Sequence, residues 1–182
     1  MTCQFSEEML DRAVAFHGHS CPGLAIGIRA AEYALQEFGE SAAGGLVCVT
    51  ETDMCGVDAI QFFTGCTFGK GNLLHRDYGK AAFSFFERQS GRGIRFLLRP
   101  DAKKAEDGTQ PGREEMQRIL LHKPLEEVFE LQALTVAPPT PARILTSLVC
   151  EHCGEETMES RTRRIGGETL CIPCFMQVEQ KV

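Results

Sequence analysis

Two C-x2-C pairs near the C-terminus constrain this chain more than any other feature. Cys150-Glu-His-Cys153 and Cys171-Ile-Pro-Cys174 stand 17 residues apart. Each such turn places two thiolates on one side of an ion, and zinc takes four soft ligands in a closed tetrahedron. The separation falls in the range of zinc sites. Gly154 follows the first pair, where a knuckle needs positive φ. Gly166-Gly167 punctuates a hairpin, and Pro173 stands where a helix opens. The expectation is a zinc finger module over residues 147–182, with one structural zinc on Cys150, Cys153, Cys171 and Cys174. His152 is read as a knuckle side chain.

From Cys150 onward the module carries four Lys/Arg against six Glu. Four thiolates and a zinc ion bring it to about −4 at neutral pH. That charge outweighs the basic spot of Arg161, Arg163 and Arg164, and a negative module is a poor polyanion binder. The whole chain, at −6, points the same way. A protein partner or a second copy, docked through the finger, is expected in place of nucleic acid.

The other five of the nine cysteines lie in the first third, at Cys3, Cys21, Cys48, Cys55 and Cys66. An odd count excludes a complete disulfide framework within one chain. Apolar residues at 43% and charged residues at 24% are the proportions of a soluble globular protein. The first sixteen residues lack the apolar stretch of a signal peptide, and no run of eighteen apolar residues spans a bilayer. A cytoplasmic location follows as an expectation. Reduced cysteines there more often bind metal or do chemistry than form staples. The segment Ala137-Pro138-Pro139-Thr140-Pro141 removes backbone donors and holds the chain extended. It divides a core domain of residues 1–136 from the finger through a linker at 137–146.

Apolar spacing predicts a helix over residues 6–16, N-capped by Ser6, and a stronger one over 22–38. A strand follows over 45–52 and a short helix over 58–63. A Phe-rich hairpin is expected over 81–87 and 94–99, then helices over 112–122 and 125–132, the second opened by Pro124. A last strand is expected over 134–136. Helices and strands without a regular βαβ rhythm indicate an α+β domain with a mixed β-sheet flanked by helices.

Phe16-His17-Gly18-His19-Ser20-Cys21-Pro22-Gly23 ends where the strongest helix begins. Alternation aims His17, His19 and Cys21 to one side if the segment is extended. Pro22 suits a first helical position, which puts Cys21 at the N-cap, where orphan N–H groups and the helix dipole favour a thiolate. The second stretch runs from Glu51 through Cys55, Asp58 and Gln61 to Cys66, Lys70 and Asn72. Cys55 sits between a strand and a helix, a usual place for ligand chemistry in α/β-type domains. The glycines at 65, 69 and 71 do not make a phosphate loop, because the spacing is one residue short and Gly71 stands where Ser or Thr must bind magnesium. Cys3 is read as an exposed thiol and Cys48 as a small core residue.

Together, FHGHSCPG, ETDMCGVDAIQFFTGCTFGKGNL and DYGKAAFSF resemble the E-subunit family of formylmethanofuran dehydrogenase. The resemblance implies a thioredoxin-like α+β core, a treble-clef zinc finger and a His/Cys cleft that often holds a metal. Three readings stand open. In the first, the core is a metal-dependent enzyme or accessory subunit of one-carbon or carbonyl redox metabolism acting on a small molecule. His17, His19, Cys21, Cys55 and Cys66 supply candidate ligands to a second zinc or other transition metal. Cys21, Asp58, Lys70 and His75 are the candidate catalytic residues. In the second, it is a non-catalytic, metal-carrying or complex-docking subunit. In the third, it is a thiol–disulfide redox protein using Cys21 with Cys55 or Cys66.

Overall fold

The structure, a computed structural model, describes residues 3–39, 45–105 and 107–180. The chain divides into two compact units, Met1–Pro141 and Ala142–Val182.

The first unit opens with α1 (Glu7–His17) and α2 (Pro22–Phe38). Ser6 caps α1 by accepting from the Met9 N–H, and Gly18, at φ 94°, turns the chain out of it. Pro22 occupies the first turn of α2, as its fixed φ allows. Ten residues of α2 are buried, among them Ala25, Ala30, Ala31 and Ala34, so this is a central helix and not a surface one.

Five strands form the sheet: β1 (Leu46–Thr50), β2 (Leu73–His75), β3 (Ala82–Glu87), β4 (Gly93–Leu98) and β5 (Phe129–Leu134). Their order is β2-β1-β3-β4-β5. β1 and β2 run parallel, joined through α3 (Gly56–Thr64), and the other pairings are antiparallel. Leu46, Cys48, Phe83, Phe85, Phe96 and Phe129 from the sheet share one core with the alanines of α2. Val47, Val49 and Phe86 form a second buried cluster. The mixed sheet with flanking helices is the α+β architecture expected.

Two local expectations fail. Residues 125–132 are not one helix: α4 (Arg113–His122) is followed by a single turn, α5 (Leu125–Val128), and then by β5. Leu125 and Val128 are buried at helical spacing, which satisfies the period for one turn only. From Phe129 onward the backbone pairs with β4, Leu98 facing Phe129 and Gly93 facing Leu134. The strand expected at 134–136 therefore starts earlier. β2, three residues long, carries too little pattern to be read from sequence.

Helix α2 meets α3 with almost no space between them. A Cβ on Gly27 would lie 2.1 Å from the Gly56 carbonyl oxygen and 2.5 Å from its Cα. Gly27→Ala must therefore part the helices, and overpacking of this kind costs about 1–3 kcal/mol. Gly56→Ala is expected to cost less, since its nearest neighbour, the Gly23 carbonyl oxygen, is 3.1 Å away. Urea midpoints of the two variants check this ranking, and equal midpoints would contradict it.

The second unit is built from β6 (Ser147–Val149), β7 (Glu156–Met158), a 3-10 turn (Glu159–Arg161), β8 (Thr162–Ile165), β9 (Glu168–Cys171) and α6 (Ile172–Val178). β6 pairs with β7 and β8 with β9, both antiparallel. Its small core is Cys150, Leu170, Cys171 and Cys174, with Ile165 and Phe175 against it. Among the described residues, no helix is long and apolar enough to cross a membrane.

Candidate functional site

The finger cysteines converge as their spacing demands. One Sγ from each of Cys150, Cys153, Cys171 and Cys174 lies within 4.8 Å of the other three. Gly154, at φ 77°, closes the first knuckle, its N–H donating to the Cys150 carbonyl at 2.9 Å. Cys171 is the N-cap of α6, and its own N–H donates to the Cys150 sulfur at 3.3 Å. The N–H groups of Cys153 and Cys171 draw the Cys150 thiol down to about 6. The neighbouring thiols, Cys171 foremost, push Cys174 up to about 12. Four sulfurs this close repel as thiolates, and a dication removes that repulsion.

A second group lies in the first unit. One donor atom from each of His17, His19, Cys21 and Cys55 falls within 4.8 Å of the others. His17 ends α1, Cys21 N-caps α2, and Cys55 N-caps α3. Cys21 Sγ accepts the Leu24 N–H at 3.3 Å, which fixes it at the positive end of the helix. The glycine contact between α2 and α3 draws the starts of the two helices together. Gly23 matters most directly, for a Cβ there would lie 3.6 Å from Cys55 Sγ and 3.8 Å from Cys21 Sγ.

Asp58 Oδ2 stands 2.7 Å from His17 Nδ1. A carboxylate in that position accepts Nδ1–H and selects the tautomer whose Nε2 carries a lone pair. That Nε2 faces Cys21 Sγ, at 3.9 Å. The His17 side chain is 9% exposed and Asp58 39%. His19 is exposed, and its ring lies against that of His17 with centroids 4.5 Å apart. Burial, and then the adjoining Cys21 thiol, push the Cys55 thiol up.

The structure does not bring every candidate to this group. Cys66 follows the far end of α3. Nine residues of helix, about 13 Å at 1.5 Å per residue, separate it from Cys55. It is fully buried in the main core, donating to the Leu46 carbonyl at 3.6 Å. Lys70 lies at that same end, near Gly65. His75 ends β2, exposed and opposite Thr50. Cys48 is a core residue, as expected, whereas Cys3 is half-buried, its N–H bonded to the Leu121 carbonyl. Asp58 is near the centre, but through His17.

Two supports escape the sequence. Glu51 and Arg95 form a two-pronged ion pair, Nε to Oε1 at 2.6 Å and Nη2 to Oε2 at 2.9 Å. It holds the Glu51 carboxyl below its ordinary range and pins the chain between β1 and Cys55. Gln117 on α4 donates to the Ser20 hydroxyl, inside the His/Cys motif. Both join residues more than forty positions apart, for which one sequence carries no local signal.

Comparison with known proteins follows the two units. The model of the FmdE family, "FmdE, Molybdenum formylmethanofuran dehydrogenase operon", matches residues 16–133. The prokaryotic dksA/traR C4-type zinc finger model matches residues 143–180. A curated relative from Archaeoglobus fulgidus, "Probable S-adenosyl-L-methionine-binding protein", is 28% identical over 195 residues, covering 91% of this chain and 52% of the relative. The chain thus spans about half the length of that relative. The crystal structure of a "tungsten formylmethanofuran dehydrogenase subunit e (fmde)-like protein" from Syntrophus aciditrophicus matches with a TM-score of 0.75 at 24% identity. The match covers 100% of this chain and 97% of that one, and it shows a shared fold. The C4-type match and the four convergent sulfurs identify the C-terminal cluster as a structural zinc site.

Proposed function

The chain belongs to the FmdE family through residues 16–133, and from that membership we propose that its first unit is a metal-dependent enzyme or accessory subunit of one-carbon or carbonyl redox chemistry. One observation carries the reading: three of the four donors are anchored and the fourth is not. His17 is held by Asp58, Cys21 by the Leu24 N–H, and Cys55 by the close contact of α3 with α2. His19 is exposed, and among the described residues its ring makes no hydrogen bond. Three fixed ligands and one exchangeable position are the pattern of catalytic zinc, whereas four fixed ligands mark structural zinc.

Imidazole and thiolate suit zinc, iron or copper. Such an ion, when bound, polarises a carbonyl or lowers the pKa of a water. The chain's own residues do the rest. Cys21 and Cys55 supply negative charge at two helix starts. Asp58 keeps the proton on His17 Nδ1 and leaves Nε2 free. His19 yields the open side to a small carbonyl substrate.

Purified full-length protein is expected to carry a transition metal beyond the finger's zinc. His17→Ala and Cys21→Ser each remove it, and His19→Ala retains it. Asp58→Asn weakens it by about 10–100-fold, the usual effect of losing a ligand's hydrogen-bond partner. Elemental analysis and competition with a chelating dye measure all four. Wild-type protein with only the finger's zinc would overturn the reading.

A non-catalytic metal-carrying protein is the second reading, because the four donors suffice to close a tetrahedron. X-ray absorption of the zinc-loaded core separates the two. A bound water oxygen supports the enzyme, and four protein donors support the carrier. FmdE membership supports a role within a multi-protein assembly, and the finger is the part proposed to dock there.

A further inference from the structure

We propose that Cys21 and Cys55 form a reversible oxidative modification site, closed to a disulfide by a peroxide and opened by a dithiol. The inference uses the donors of the proposed metal centre and adds a regulation to that reading. It stands on geometry that exists without a metal.

The two sulfurs lie within 4.8 Å of one another. A disulfide needs about 2.05 Å between them, with Cβ atoms about 3.5–4.5 Å apart, so a modest side-chain rotation closes the gap. The space for that rotation is provided by Gly23. A Cβ at residue 23 would sit 3.1 Å from the Cys55 Cβ and within 3.8 Å of both sulfurs. The two cysteines are also unequal. Cys21 is buried and tied to the Leu24 N–H. Cys55 is half-exposed and makes no side-chain capping bond, so its side chain rotates without uncapping the helix, whose backbone the α2 contact holds in place. Cys48 and Cys66 are fully buried in the main core, away from this pair.

The chemistry takes two steps, with hydrogen peroxide as oxidant. The Cys55 sulfur, once deprotonated, attacks one peroxide oxygen; the O–O bond breaks, the sulfur becomes a sulfenic acid, and the other oxygen leaves as water carrying the thiol proton. The Cys21 thiol then attacks that sulfur, forming S–S and releasing a second water. The two thiols lose two electrons and two hydrogens, all of which leave in the waters. With both sulfurs in a disulfide, only His17 and His19 remain as donors, and an ion bound at this site is released. A dithiol reverses the exchange.

The test treats the full chain with hydrogen peroxide, once loaded only to the finger's zinc equivalence and once fully loaded. Non-reducing peptide mass spectrometry reads the links. A Cys21–Cys55 link is expected in both samples, with metal release from the fully loaded one. The link is expected to persist in Cys3→Ser and Cys66→Ser, to vanish in Cys55→Ser, and to be reversed by dithiothreitol. Cys21 linked to Cys3 or to a finger cysteine would overturn the proposal. So would Cys55 driven to sulfinic acid with Cys21 untouched. Absence of any core metal would sink the metal-centre reading alone, because the link forms from free thiols. A fully loaded core that never forms the link would sink only the modification site.

Discussion

Stripping zinc from the full chain, or replacing Cys171 by serine, is expected to unfold residues 147–180 and to leave the first unit folded. The finger's core consists of three cysteines and Leu170, flanked by Ile165 and Phe175, and its strands are three or four residues long. A segment this small does not bury enough apolar surface to offset the entropy of ordering it. Zinc binding, worth roughly 10–16 kcal/mol in finger peptides, is therefore its folding energy. The pH dependence has a definite sign. Cys174 stands near 12 without metal and Cys153 is also raised, so both bind protons at neutral pH that zinc must displace. Cys150, near 6, is already largely a thiolate there. Zinc affinity thus rises with pH through neutrality and falls as acid returns the protons. Amide spectra of the full chain with and without a chelator read the outcome. Dispersed finger resonances in zinc-free protein would refute it.

What the sequence reveals about this chain follows the range of its interactions. Cys21 as an N-cap, Pro22 in the first turn and the apolar stripe of α2 are local facts, and all three appear as read. The finger is legible because zinc forces its cysteines into fixed short spacings. Cys55 is recognisable as a ligand type at a strand end, but Cys66 looks equally good. The nine-residue α3 carries these two cysteines to opposite ends, which no count of intervening residues displays. Residues 125–132 mislead for a related reason. Leu125 and Val128 keep a helical period for one turn, while the open edge of β4 offers six residues of pairing that outweigh it. Asp58 is visible as a carboxylate near the motif. Its role depends on a partner 41 residues away, so sequence alone does not separate a proton carrier from an orienting group.

The largest loss of stability in the first unit is expected from Arg29→Met. Arg29 and Glu32 are 1% and 3% exposed on the central helix. The guanidinium donates to the Leu121 and Lys123 carbonyls, at 3.3 and 2.8 Å, and so satisfies the end of α4. Its Nη1 lies 2.8 Å from Glu32 Oε2, too poorly aligned to count as a hydrogen bond, since that oxygen and Arg29 Nε have none among the described residues. Glu32 Oε1 accepts the Gln4 N–H at 2.8 Å, tying down the N-terminal segment. Removing Arg29 leaves a carboxylate buried without its cation and the Lys123 carbonyl without its donor, while the Leu121 carbonyl keeps the Cys3 N–H. Breaking one side of a buried pair costs about 3–5 kcal/mol, a large share of the roughly 5–15 kcal/mol that holds a domain together. The double variant Arg29→Met, Glu32→Met is expected to recover part of the loss, because no charge is then left stranded. Urea unfolding of the zinc-loaded chain at neutral pH measures both. A single variant within about 0.5 kcal/mol of wild type, the scale of an ordinary surface change, would show that the pair does not hold α2 against α4. The position of Ser20, bonded to Gln117 on α4, would then owe nothing to that clamp.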